Sequence, residues 1–475
     1  MPTRVRSQVL REIEVELSEP RFFGVPLGAA LSNFLYIDLG WGYGDWRRRT
    51  EILNMARRVR HYAYPRQNRG RQVHMPPRRI LVTWITASPR FNELILPVLA
   101  ELGDGSYNVV SGDREVAHHV PPGTPHAEWE QIMSYDVRAW RKEYARCRPE
   151  WESRLRDICR RYDFPGGVFE LLSLTLMVSS QRVLGALEFL ERTRPSVILT
   201  DFDRHYLWSC LVLAAQRIAI PSVTLVHGAI EQDALGFSPV LADKILPWGR
   251  LDRDKLLAAG EPEEKVIVAG CPRLSRDLSA TKEQGRDRLN LNQDIPWVMF
   301  GSSPGRQSIE VAELFCAAVE DSDEFEGFVR LHPAESPSDY AAVIRRHPSV
   351  RFSSNSEASL DESLAAADIV VACRSGTGSD ALVKRQPVVV LSPDRVLSGP
   401  DWDLVELAGC PHARTSAELK EVILGMLRDD GMREHQALAA EKYVHDLSAF
   451  FGRDAARQIA AVVREQAGEA CKGGQ

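Results

Sequence analysis

The chain has no closely spaced pair of cysteines, no apolar run long enough to span a membrane and no excess of positive charge. Its eight cysteines stand singly, at Cys147, Cys159, Cys210, Cys271, Cys316, Cys373, Cys410 and Cys471, and no Cys/His cluster has metal-ligand spacing. This argues against a structural zinc or a resident metal and points to reduced thiols in a cytoplasm. The opening residues, MPTRVRSQVLREIEVE, lack the apolar centre of a secretory signal. No stretch approaches the roughly 18 uninterrupted apolar residues of a membrane span. A formal charge of -6 and a pI near 6.1 speak against a chain whose main work is gripping nucleic acid. What is there suits a globular protein made and kept in the cytoplasm: 475 residues, 44% hydrophobic and 26% charged, enough for two domains.

Residues 1–78 do not read as half of a parallel sheet. Arginines dominate from Arg47 to Arg79 (Arg47, Arg48, Arg49, Arg57, Arg58, Arg60 and onward). Such a run is ordinarily a solvated face; its sharper reading is peripheral attraction to an anionic membrane surface or a diphosphate-bearing acceptor. From residue 79 the pattern changes. Apolar strands at 79–84, 107–110, 196–200 and 221–226 alternate with amphipathic helices, and a tryptophan- and arginine-rich helical insert occupies about 124–192. A polar stretch from Arg273 to Asp294 then separates a second series, with strands at 297–300, 327–331, 350–352, 368–372 and 387–391. Alternating strands and helices predict parallel sheets. The expected organisation is a basic extension (1–78), a Rossmann-like domain (79–273), a second Rossmann-like domain (274–430) and closing helices (431–475), the last able to pack back on the first domain.

The stretch around which the rest is organised is Val370 to Asp394. A strand runs into Arg374-Ser375-Gly376-Thr377-Gly378-Ser379-Asp380, followed by a short helix and another apolar strand. A glycine- and hydroxyl-rich turn at the carboxyl end of such a strand suits an anion, because Gly376 and Gly378 let backbone approach while Ser375, Thr377 and Ser379 donate. A lone turn of this kind also simply caps helices. Its neighbours strengthen the reading: Gly301-Ser302-Ser303 follows one strand and Arg330-Leu331-His332-Pro333 another. In the first half, Asp201, Asp203, His205 and His227 follow strands, where ligands of open α/β sheets bind. Each alone is more often a cap or turn residue.

From His227 onward the sequence resembles a known family. TLVHGAIEQDALGFSPVLADKILPWG, continuing to KVIVAGCPRL, is similar to bacterial surface-polysaccharide transferases of the GT-B fold, including CDP-glycerol glycerophosphotransferase-like and capsule-biosynthesis proteins. The matching residues are His227-Gly228, Pro239, Ala242-Asp243, Trp248-Gly249 and Gly270-Cys271-Pro272-Arg273. His332-Pro333 and the Ser375–Ser379 turn resemble elements of bacterial sialyl and Kdo transferases. The resemblance covers about 79–430. It departs from many such enzymes at Asp380, where a glutamate is usual, and says nothing of 1–78 or 124–192.

The resemblance implies two Rossmann-like domains facing a cleft and a metal-independent glycosyltransferase. It would move a sugar, or a related alditol phosphate, from a nucleotide-activated donor to a hydroxyl acceptor such as a glycan, lipid carrier or small natural product, with no cofactor. Gly301, Ser302, Ser303, Arg330, His332, Pro333 and Ser375 to Asp380 would hold the donor, with Asp380 on the ribose. His227, whose ordinary pKa near 6.5 suits proton acceptance at neutral pH, is the expected base, with Asp203 second. Two alternatives share the architecture: a sugar-nucleotide 2-epimerase, and a non-catalytic partner that binds a nucleotide or glycan.

Overall fold

A computed structural model of the chain describes residues 4–31, 75–164, 167–303, 306–333, 335–394, 396–397 and 399–468. Most of the Arg-rich run, up to residue 74, lies outside them. The chain divides into two compact units, Met1–Arg273 with Gly452–Gln475, and Leu274–Phe451.

The first unit is built on a parallel six-stranded sheet: β1 (Ile80–Trp84), β2 (Tyr107–Ser111), β3 (His126–Glu128), β4 (Val197–Thr200), β5 (Ser222–Leu225) and β6 (Lys244–Leu246), in the order β3-β2-β1-β4-β5-β6. Every residue of β1, β2, β4 and β5 is buried, as expected where helices cover both faces of a parallel sheet. β1 divides its side chains between two cores: Leu81 joins the one under the long helices, while Ile80, Val82 and Trp84 join the other.

Residues 124–192 are not wholly helical. They begin with β3, whose three residues pair in parallel with β2 and extend the sheet. Then come two long helices, α3 (Val137–Arg161) and α4 (Val168–Thr193), after α1 (Arg4–Glu16) and α2 (Pro89–Leu102) earlier in the chain. The described part of 1–78 does not stand apart as an extension. Leu10, Ile13, Leu17, Phe22, Val25 and Leu27 lie buried in the same core as Trp151, Leu155 and Ile158 of α3. Polar ties fix the join, with Trp151 Nε1 donating to Pro20 O at 3.1 Å and the Arg204 guanidinium meeting the Glu14 carboxylate.

The second unit repeats the plan with β7 (Trp297–Gly301), β8 (Glu326–Arg330), β9 (Arg351–Ser353), β10 (Ile369–Ala372), β11 (Val388–Leu391) and β12 (His412–Ala413), ordered β12-β11-β10-β7-β8-β9 and all parallel. Read from either sheet's first strand, both orders are the doubly wound 3-2-1-4-5-6 arrangement. After α5 (Trp208–Arg217) in the first unit, the second contributes α6 (Lys282–Leu289), α7 (Arg306–Glu320), α8 (Leu360–Ala366), α9 (Thr377–Val383), α10 (Ser416–Arg428) and α11 (Asp430–Leu447). α6 falls in the stretch that reads as a polar spacer. Its signal was local: Thr281 and Gln284 form a reciprocal N-terminal capping box, and Asn290 closes the helix in the left-handed conformation.

The segment 431–475 is divided between the units. α12 (Gly452–Gln466) belongs to the first, where Ala456, Ile459, Ala460 and Val463 complete a core beside α2, and Arg453 meets Glu101 at 2.7 Å. Among the described residues, no helix is long and apolar enough to cross a membrane.

Candidate functional site

In each sheet the connections reverse direction between the first strand and the fourth, and the crevice beyond that point is where open α/β sheets hold ligands. In the second unit the strands are β7 and β10, paired so that Gly301 lies opposite Ala372 at their carboxyl ends. Gly301 is required there by its neighbour. A Cβ on it would come within 2.8 Å of Thr377 Cγ2, so the missing side chain lets the 375–377 turn close against the end of β7. The Ser303 hydroxyl ties the same loops, donating to Cys373 O at 3.2 Å. On the other side, Ser302 Oγ accepts the His332 N–H at 2.8 Å and donates to Glu335, whose other oxygen takes the Tyr340 hydroxyl at 2.8 Å. The 301–303 and 375–377 turns are thus packed together, and His332 is tied to the first of them through Ser302. Pro333 lies exposed beside His332.

Several of these groups do work other than the expected one. The Arg330 guanidinium points into the protein: Nη1 donates to Ala358 O at 2.8 Å and to Ser363 Oγ at 2.9 Å, and Nη2 to Asn355. It is buried, and burial lowers its pKa to about 10. Arg330 thus braces the loop 355–363 and is corrected from phosphate ligand to structural clamp. Ser379 shares a 2.9 Å hydrogen bond with Tyr443 of α11, which turns its hydroxyl to the helix packing. Gly378 serves the same packing, since a Cβ there would reach 2.6 Å from Leu404 Cδ1. Gly376 alone of that pair has open space where its side chain would be. Ser375 donates to Thr377 Oγ1 at 3.0 Å and accepts the Thr377 N–H at 3.3 Å, shaping the turn. Asp380 is buried on α9.

Arg374, not singled out from sequence, sits at the head of this turn. Its backbone is left-handed, φ 48°, and its N–H donates to Asp401 Oδ1 at 2.6 Å. Nη1 donates to Gln307 Oε1 at 2.9 Å, and Gln307 Nε2 donates to Asp394 Oδ2 at 2.9 Å. Burial raises the Asp401 pKa to about 6.

In the first unit the corresponding strands are β1 and β4. Asp201, at the end of β4, is fully buried and accepts the Ile85 N–H at 2.6 Å, linking the two strand ends. Burial raises its pKa to about 7. Asp203 is equally buried, and its Oδ2 accepts the N–H groups of Leu241 at 2.8 Å and Ala242 at 2.9 Å. A carboxylate so enclosed fixes the 241–242 peptides; it does not meet a substrate proton. The second-choice base is corrected on that ground.

His227 follows β5 and lies among Phe91, Phe202 and Phe237, ring centroids 5.3, 4.5 and 5.2 Å away. Its Nδ1 is buried without a hydrogen-bond partner, as is Nδ1 of His205. Burial among phenyl rings, with Arg90 next in weight, pushes the His227 pKa well below its ordinary 6.5, and burial takes His205 down to about 3. Both imidazoles are therefore neutral at pH 7, ready to accept a proton but weaker as bases than a solvated histidine. Arg90 Nε donates to His227 O at 2.6 Å and lies over Gly228, where a Cβ would meet Nη2 at 1.8 Å. Among the described residues no group of three or more His, Cys, Asp or Glu is placed to hold a metal.

No protein-family model matches the chain, and no curated protein matches its sequence. Its fold does match. UDP-GlcNAc 2-epimerase from Neisseria meningitidis, bound to UDP-GlcNAc, superposes with TM-score 0.51 at 13% identity, over 82% of this chain and all of that one (100%). HepE from Anabaena, in complex with UDP and glucose, gives 0.51 at 16% identity over 82% and 99%. A glycosyltransferase from Rickettsia africae gives 0.52 at 12% over 82% and 99%. Of these neighbours, one is bound to UDP-GlcNAc, one to UDP and glucose, and one is a glycosyltransferase by name. At such identities the likeness establishes the fold: two Rossmann-like domains.

Proposed function

We propose that the protein is a nucleotide-sugar enzyme, a glycosyltransferase that binds its donor on the second unit. The observation that carries this reading is the meeting of two turns, Gly301–Ser303 and Ser375–Thr377, at the crossover of β7 and β10, with His332 joined to them through Ser302. In transfer from a nucleotide the leaving group gains negative charge as the bond breaks, and fixed donors placed beforehand stabilise it. Gly376, open to approach, and the Thr377 hydroxyl are the groups best placed for that charge. Asp380 is proposed for the ribose hydroxyls, and the neutral imidazole of His227 for the acceptor's hydroxyl proton. The acceptor is a hydroxyl compound, and any membrane contact runs through the Arg-rich segment 47–79.

The fold neighbours give a second reading equal footing, since some carry the name UDP-GlcNAc 2-epimerase and another is a glycosyltransferase. Epimerisation needs no acceptor. Incubating the purified protein with UDP-, GDP- and CDP-sugars, with and without glycan or polyprenyl-phosphate acceptors, separates the two. Product that forms only with acceptor supports transfer; a new epimer from donor alone replaces it with epimerisation. Calorimetric titration with UDP, GDP, CDP and CMP tests the binding half. Thr377→Ala, which removes the hydroxyl at the turn, should weaken affinity about tenfold, the scale of one lost hydrogen bond to a charged group. Unchanged affinity rejects the assignment.

A further inference from the structure

If Arg330 is occupied in bracing its own unit, the positive charge that a phosphate-bearing donor needs must come from elsewhere. His332 donates its backbone N–H to the Ser302–Glu335 network. The hydroxyls of Ser302, Ser303, Ser375 and Ser379 are engaged with protein partners. The cation at the turn itself is Arg374.

Its placement is unusual in both backbone and side chain. The residue holds a left-handed backbone, strained for a side chain other than glycine, which persists only when the surroundings enforce it. The enforcing contact is the buried Asp401 carboxylate on its N–H. The side chain is exposed rather than packed, and its Nη1 is steered by a neutral amide, Gln307, itself oriented by Asp394. Three parts of the unit, the first turn of α7, the turn after β10 and the segment after β11, thus meet at Arg374, the residue next in the chain to Ser375. Such strained residues gather where a ligand is clamped, and a guanidinium's planar fork matches phosphate oxygens.

We propose that Arg374 is the residue that recognises the terminal phosphate of a nucleoside diphosphate donor, with Gln307 and Asp401 as its positioning residues. This rests on the nucleotide-sugar reading above and names the charge that would serve it. The guanidinium would meet the developing charge on the leaving diphosphate, so its effect should appear on diphosphates and vanish for a nucleoside.

The test is calorimetric titration of the full chain with UDP, UMP and uridine, and the same series for GDP and CDP. Wild type should bind the preferred diphosphate more tightly than its monophosphate. Arg374→Gln should cut diphosphate affinity about 10- to 100-fold, the worth of a charge-assisted hydrogen bond, and leave nucleoside affinity in place. Arg374→Gly controls for folding, because glycine adopts positive φ without strain; it should fold as well as wild type and show the same diphosphate-specific loss. Gln307→Ala should give a smaller loss of the same kind. A folded Arg374→Gly protein that binds the diphosphate as wild type does overturns the proposal and leaves the donor site standing. Wild type that binds none of these nucleotides overturns both.

Discussion

The two sheets share a strand order, yet the groups beyond their crossover points are opposite in character. In the first unit that place is enclosed: two buried aspartates hold backbone, and two neutral imidazoles lie among aromatic rings. In the second it is open and rich in small donors: Gly376 meets open space, serines shape the turns, and an exposed arginine stands at the turn's head. The same topology supplies the same ledge in both units. The side chains make one ledge aromatic and the other donor-lined, and the proposed roles of base and anion site rest on that contrast.

Removing the imidazole tests the first half of that contrast most sharply. His227→Ala should lower turnover about 10²- to 10⁴-fold, the usual span for a positioned base, with donor affinity within twofold of wild type. Because burial holds its pKa well below 6.5, the acid limb of the wild-type rate profile should also fall well below pH 6.5. A limb centred at 6.5, or an alanine variant of normal turnover, breaks the comparison.

Arg330→Met tests the second half from the opposite side. It strips three hydrogen bonds from a buried loop and should destabilise the protein by about 3 kcal/mol, read from urea unfolding. Nucleotide affinity of the folded fraction should barely change. A stable variant with weakened nucleotide binding would return Arg330 to the ligand.

Gly301→Ala should cost about 1–3 kcal/mol and weaken nucleotide binding, because the new methyl must displace Thr377 and the turn it begins. Adding Thr377→Ser removes the nearest atom, Cγ2, and should restore part of both losses. Full tolerance of alanine would show that the turns do not depend on this approach.

How much of this the sequence carried depends on the range of each interaction. Strands such as Val388–Leu391 were legible because a strand buried on both faces is a plain apolar run. β3 and β12 were not, being three and two residues long and containing His126, Glu128 and His412. Their identity comes from pairing with β2 and β11, which no local pattern reveals. The turn at 375–377 announced itself through glycine and hydroxyls, but the partners of each polar group did not. Arg330 answers to residues 355–363 and Asp203 to the peptides of 241 and 242, contacts set by tertiary structure. Arg374 was in plain view beside the turn. Its left-handed backbone and its link to Asp401, which mark it out, exist only once the loops are folded.

The smallest of these effects concerns stability against pH, where buried groups of the first unit should pull in opposite directions. His205 stays neutral in the folded chain down to about pH 3, whereas an unfolded histidine takes up a proton below about 6.5. Its contribution is complete above 6.5 and is lost as pH falls toward 3; His227 acts in the same sense. Asp201 keeps its proton up to about pH 7 when folded, against 3.8 ordinarily, so its contribution is complete below 3.8 and is lost as pH rises toward 7. Between pH 4 and 6.5 the two terms oppose, each worth at most about 1.4 kcal/mol per pH unit. His205→Gln should therefore gain about 2 kcal/mol on wild type at pH 5, relative to the difference between the two at pH 7. Asp201→Asn, whose carbonyl oxygen can still accept the Ile85 N–H, should shift the opposite way, improving at pH 7 relative to pH 5. Urea unfolding at both pH values reads the two shifts. Parallel pH profiles for wild type and both variants would mean that these groups are solvated in the folded protein, and the enclosure that separates the first ledge from the second would be gone.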